Sequence, residues 1–346
     1  MATDRIAVSH ATTPKITAYP WSAGFGSKYS NPGTLPNGPG YTLAWGASDI
    51  IELNPGTNGA NAYPWSSGFG TRYSNPGTSW VTSYGYMIHV TFDRNSATVG
   101  SGSRSNSFQM YPWSAGFGTK YSNPGSPPSG YGYGCAFGAS VVAGTGTASP
   151  YIYTYPWSPG FGTKYSNPGT LPSAFALNDT RFDPATTNIA MSAGGSPYVY
   201  VYPWSAGFGT KYSNPGTLPA GVGWAVAFST TGSDIAVAHS TSPYVSAYPF
   251  SGSGFGSKYT NPGTLPTGDG RGVDFGDTDI FVSHGTTPFI SSYPWSAGFG
   301  TKYSNPGTLP ASQGTDVKAT GPAAGPSQVF TRSIFAMQSI MRSNNF

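Results

Sequence analysis

Seven cations stand at one position of a repeating segment: Lys28, Arg72, Lys120, Lys164, Lys211, Lys258 and Lys302. They are seven of the sixteen Lys and Arg residues in the chain. Such a column has two chemical uses. On an exposed strand edge, positive charge opposes edge-to-edge association. The same charge can meet an acidic partner surface. A second column is aromatic: Trp21, Trp65, Trp113, Trp157, Trp204, Phe250 and Trp295. Flat rings fill wedge-shaped gaps between packed sheets. They also stack on sugar rings, so repeated glycan contacts are the alternative reading. Only Ser, Asn and backbone groups lie near that column to hold sugar hydroxyls.

The remaining reactive side chains are few. His10, His239 and His284 share a position in different repeats. Equivalent positions of a repeat protein lie far apart, so these three cannot share a metal ion. They read as satisfied turn histidines. His89 falls on a predicted first strand with no partner in view. Asp49, Asp234 and Asp279 start second strands, with Asn188 and Ser140 in the same column. Asp, Asn and Ser there read as turn formers bonding to nearby backbone. Spread over separate repeats, they form no paired carboxylates for acid–base work. Cys135 is the only cysteine, which excludes an intramolecular disulfide. No EF-hand spacing and no Ser-His-Asp or Cys-His arrangement can be placed. The expectation is a protein with no catalytic constellation, no cofactor and no enzymatic role.

The element that must position these columns is the repeat itself. Tyr-Pro-Trp-Ser begins at Tyr19, Tyr63, Tyr111, Tyr155, Tyr202 and Tyr293, and at Tyr248 with Phe250 in place of Trp. Each copy runs on into Gly-Phe-Gly-(Ser/Thr)-(Lys/Arg)-Tyr-(Ser/Thr)-Asn-Pro-Gly. A period of about 40–45 residues with several strands per copy is a propeller signature. The sixth copy shows the strands. Residues 224–229 alternate as a first strand, 234–239 form a second and 244–248 a third, ended by Pro249, which cannot donate to a ladder. Residues 257–260 read as a short fourth strand carrying Lys258.

Composition agrees. Charged residues are 8% of 346, and Glu52 is the only glutamate. The chain has 49 Gly and 32 Pro, with 15% aromatic residues. That mixture favours turns and short strands. A net charge of +4 is mild and does not by itself point to a nucleic-acid partner, and none is expected. No run of about 18 apolar residues marks a membrane span, and residues 1–10 lack the basic-then-apolar pattern of an export signal.

The predicted fold is therefore all-β: a seven-bladed β-propeller with four antiparallel strands per blade. The first blade opens at its second strand, and residues 315–320 are expected to supply the missing first one. Residues 1–320 make the propeller and 321–346 a linker and helical tail. The tail carries an apolar stripe of Phe330, Ile334, Met337 and Met341, suited either to folding back on the propeller or to docking in an assembly. Over residues 4–320 the chain resembles WD40-like β-propellers, without their Trp-Asp dipeptide. Its KYSNPGTLP-type units resemble a repeat common in bacteriophage-encoded proteins. That resemblance implies a virion structural protein, such as a capsid-decorating, head–tail or tail component. Its partners would be other virion proteins, it would be present in many copies, and it would be made in the host cytoplasm. A carbohydrate-binding propeller and an intracellular scaffold are the alternatives.

Overall fold

The computed structural model describes residues 3–54, 59–76, 89–102, 108–172 and 177–320. The apolar tail stripe lies outside them. The described residues form seven antiparallel sheets and no helix. Sheet one holds Gly314–Thr320, Arg5–His10 and Ile16–Pro20; sheet two Thr42–Trp45, Asp49–Leu53 and Ala60–Pro64. Sheet three holds Val90–Phe92, Thr98–Ser101 and Gln109–Pro112; sheet four Gly132–Phe137, Val141–Gly146 and Ile152–Pro156. Sheet five holds Leu177–Phe182, Asn188–Ala193 and Val199–Pro203. Sheet six holds Gly223–Phe228, Asp234–His239, Val245–Ser251 and Gly254–Phe255; sheet seven Gly270–Phe275, Asp279–His284 and Ile290–Pro294. The first strand given for each sheet is its leading strand.

Only sheet six has a fourth strand, and it is two residues long. The expected four strands per unit are therefore three plus a docked segment. After Pro20, Trp21 bridges Phe25 and Gly26 donates its N–H back to Pro20 O at 2.9 Å. A Cβ on Gly26 would stand 3.1 Å from the Pro20 ring, a tight contact that favours glycine at the return. Beyond it, Tyr29 donates one backbone bond to Ala18. One backbone bond per segment joins the chain to the sheet without making a ladder.

The leading strands touch in sequence from sheet one to sheet seven, and sheet seven touches sheet one again. The apolar core is divided in the same way, because both faces of each sheet are buried. Seven clusters each span two neighbouring sheets; Val141, Ile152, Leu177, Tyr202 and Trp204 form one such cluster. The last cluster joins Ile6, Val8 and Val317 to Phe281 and Ile290, from opposite ends of the chain. Asp316 pairs with Ser9, Val317 with Val8 and Ala319 with Ile6, in antiparallel register. No helix among the described residues is long and apolar enough to cross a membrane.

Candidate functional site

The Tyr-Pro-Trp segment works between sheets. Tyr19 Oη donates to Thr308 O at 2.8 Å, Tyr63 to Thr34 O and Tyr293 to Thr264 O, each reaching the linker of the preceding unit. Burial pushes these phenols above the usual tyrosine range. The following aromatic residues are 4% to 9% exposed in all seven copies. They pack edge-to-face, as Trp21 does on Phe25, Phe281 and Tyr303 at 4.7–5.1 Å. Their faces are largely spent on protein.

The Asp column proves to be an inter-sheet clamp where a turn former was expected. Asp49 Oδ2 accepts Trp113 Nε1 at 3.0 Å from the next sheet, and its Oδ1 accepts Tyr73 Oη at 2.8 Å. Asp234 and Asp279 repeat the arrangement.

The cationic column is half-buried on the docked segments. Lys120 Nζ donates to Asn123 Oδ1 at 2.8 Å and Lys211 Nζ to Asn214 Oδ1 at 2.7 Å. Lys28, Lys164, Lys258 and Lys302 each bind the Asn three residues on in the same way. Arg72 departs from the column, reaching Asn61 Oδ1 and Leu35 O. His10, His239 and His284 are fully buried at the ends of second strands. Each has Nε2 on a hydroxyl, of Thr17, Ser246 or Ser291, at 2.8–3.1 Å.

The chemistry missed in the sequence lies where the leading strands meet. His89, Asp179, Arg181, Asp274, Asp316 and Lys318 come together there from sheets one, three, five and seven. Asp179 and Arg181 share a strand face because side chains alternate along it; the same holds for Asp316 and Lys318. His89 Nδ1 is 3.5 Å from Asp179 Oδ1, and Arg181 Nη1 approaches the same oxygen at 3.4 Å. Asp179 Oδ2 accepts the N–H of Val226 on the next leading strand at 3.3 Å. Asp316 Oδ2 accepts Thr42 Oγ1 at 3.0 Å, and Lys318 Nζ lies 2.6 Å from its Oδ1. Asp274 Oδ2 accepts Ala319 N–H at 2.9 Å.

Three polar atoms of this cluster are buried without a hydrogen-bond partner among the described residues: both ring nitrogens of His89, and Arg181 Nη2. Burial holds the His89 imidazole below its usual pKa, against the pull of Asp179, so the ring is neutral at pH 7. Burial would raise Asp316, but Lys318, His89 and Arg181 outweigh it and hold the carboxyl below the usual range. Asp274 is raised by burial, which Lys318 offsets only in part. A neutral imidazole beside a carboxylate, with a guanidinium at the same carboxylate oxygen, can take a proton from water and stabilise a developing oxyanion. No group of three or more His, Cys, Asp or Glu among the described residues is placed to hold a metal ion.

No family model matches this sequence, and no curated protein does. Solved structures do. A protein of Lactobacillus plantarum superposes with a TM-score of 0.65 at 14% identity, covering 92% of this chain and 100% of the other. A functionally unknown protein of Desulfotomaculum acetoxidans gives 0.65 at 13%, covering 92% and 100%. The periplasmic gluconolactonase of Pseudomonas aeruginosa gives 0.67 at 12%, covering 92% and 99%. Identities this low carry the fold alone: all-β and propeller-like.

These likenesses correct two expectations from the sequence. The matched structures are bacterial proteins and nothing in them indicates a bacteriophage virion part, so the virion reading is withdrawn. One is by name an enzyme, so a non-enzymatic role no longer follows from the architecture. The physical reason is plain in the contacts. The repeat that carried the phage resemblance builds packing between sheets, so it reports the fold and not the occupation.

Proposed function

We propose that the chain is a closed seven-bladed β-propeller that hydrolyses a small lactone or related ester in its central channel. The seven shared core clusters and the pairing of residues 314–320 with 5–10 support the architecture. The activity rests on one observation, the buried His89 with neither ring nitrogen hydrogen-bonded and its Nδ1 3.5 Å from Asp179 Oδ1, which Arg181 also approaches. The likeness to a protein named as a gluconolactonase fits this chemistry.

In this reading the ester enters past Arg181 and Lys318, whose side chains are 18% and 12% exposed. Neutral His89 takes a proton from water as the hydroxide adds to the ester carbonyl. Asp179 stabilises the imidazolium, while Arg181 Nη2 and Lys318 hold the oxyanion. Collapse expels the ring oxygen, and the proton passes from His89 to that alkoxide, leaving a hydroxy acid. The test is pH-stat hydrolysis of D-glucono-δ-lactone by the full chain, measured above the uncatalysed rate. H89Q should lose about 100-fold or more of the acceleration while keeping its unfolding midpoint. No acceleration by the wild type, or an H89Q protein as fast as the wild type, would refute the assignment.

A further inference from the structure

We infer that the cleft between sheets one and two is a binding site for a small carboxylate, separate from the channel. The inference starts from register. Asp49, Asp234 and Asp279 pair with Pro64, Pro249 and Pro294. In sheet one the residue paired with the corresponding Pro20 is Arg5. At the three Asp positions, one carboxylate accepts a tyrosine hydroxyl and the indole N–H of the next sheet. At Arg5 the acid is gone and a cation has replaced it.

The two donors remain. Tyr29 meets Trp65 edge-to-face at 5.0 Å, as Tyr303 meets Trp21 at 5.1 Å and Tyr259 meets Trp295 at 5.2 Å. The clamp is built, yet neither Tyr29 Oη nor Trp65 Nε1 has a side-chain acceptor among the described residues. Arg5 has turned away over Trp45, 5.0 Å from its ring, and its Nη1 binds both Asp4 oxygens at 3.0 and 3.1 Å. Arg5 Nε is buried without a partner. A cleft of about 280 Å³ opens here, lined by Asp4, Arg5, Tyr29, Ser48, Trp65 and Ser66 among others. A water occupies about 30 Å³ of liquid, so this space admits a small organic molecule.

Other junctions also lack the acid. Thr98 and Val141 hold the equivalent position in sheets three and four. Neither brings a charge, and Trp157 Nε1 is buried with no partner. Arg5 alone combines the two empty donors with a cation and an open cleft. A ligand carboxylate seated where the Asp stands elsewhere would accept from Tyr29 and Trp65 and face the Arg5 guanidinium. A neutral hydroxylated ligand would leave that cation no better paired. Asp4, with its side chain 40% exposed, is the internal competitor for Arg5.

The test follows the Trp65 indole N–H in ¹H–¹⁵N spectra of the full chain, assigned with W65F, while sodium acetate is added at constant ionic strength. Acetamide, of the same shape without the charge, is the control. Acetate should move this one indole signal saturably, and acetamide should not. Y29F should weaken acetate binding about tenfold, as loss of a hydrogen bond to a charged group does. D4N should tighten it, and R5D, which supplies the clamp with its own acid, should abolish it. H89Q should bind acetate as the wild type does, so failure of the hydrolytic reading would leave this site standing. Equal responses to acetate and acetamide, an unsaturable shift, or Y29F and R5D proteins that bind normally would overturn the inference.

Discussion

Trp21 and Asp279 lie 258 positions apart in sequence and share a 3.0 Å hydrogen bond, indole Nε1 donating to Oδ2. The other oxygen of Asp279 accepts Tyr303 Oη at 2.8 Å. One carboxylate thus ties its own docked segment to the aromatic residue of the neighbouring sheet. Where the acceptor is Asn188, with a single oxygen, Tyr212 takes it at 3.0 Å. The neighbouring aromatic is then Phe250, which has no N–H to satisfy. At that junction no indole N–H is left to seek the missing oxygen, whereas Trp157, which faces Thr98, keeps a buried Nε1 without a hydrogen-bond partner.

Removing the acid should leave Trp21 Nε1 and Tyr303 Oη unmet and release the adjacent Thr278 hydroxyl. D279A is expected to cost about 2–4 kcal/mol in urea unfolding, from two unsatisfied groups. The pair N188D and F250W should be worth more together than the sum of the single changes, because each supplies what the other lacks. Additive single effects would contradict the clamp.

Acid should weaken the fold through three histidines. Burial holds His10, His239 and His284 at about 4, below the ordinary 6.5. The unfolded chain then binds protons first, so stability is complete above pH 6.5 and declines as the pH falls toward 4. By pH 5 each site removes about 2 kcal/mol. Urea unfolding at pH 7.5 and pH 5 should show this loss, and H239Q should lessen it by about one site's share. An unchanged pH slope in H239Q would exclude the mechanism.

The sequence exposes whatever repeats. Tyr-Pro-Trp-Ser located every third strand, because Pro20 and its equivalents end the ladder at a fixed place. It overstated the fourth strand, since residues 257–260 have strand-like composition but dock through one bond, Tyr259 N–H to Ala247 O. The charged cluster between the leading strands was hidden for the opposite reason. Asp179 sits on a leading strand and His89 directly before one, in the part of each unit that varies, and 90 positions separate them. A signal was present: Asp179 and Asp316 stand where the equivalent strands carry Ala225 and Gly272. Charge in that place had no visible partner until the sheets came round on one another.

Strand Gly314–Thr320 should be indispensable to sheet one. A chain ending at Gln313 would leave residues 5–10 with an open edge and uncover Ile6 and Val8. It would also free Thr42 and Leu43 N–H from Asp316. An exposed apolar edge strand invites association. This truncation should therefore aggregate or lose cooperative unfolding, while a chain ending at Thr320 unfolds as the full chain does. A soluble, cooperative protein lacking residues 314–346 would show that sheet one stands without its leading strand.

Cys135 offers a probe of the leading strands. It lies on the leading strand of sheet four, fully buried among Phe108, Met110 and Phe137. Burial pushes its thiol well above the usual range, and thiolate is the species that reacts. At pH 8 a disulfide reagent should label the native protein more than about a thousandfold slower than the urea-unfolded chain, matching an opening free energy above about 4 kcal/mol. Added urea should speed labelling in step with global unfolding. Labelling that outruns global unfolding would mean that the leading strands open locally beside His89 and Asp179.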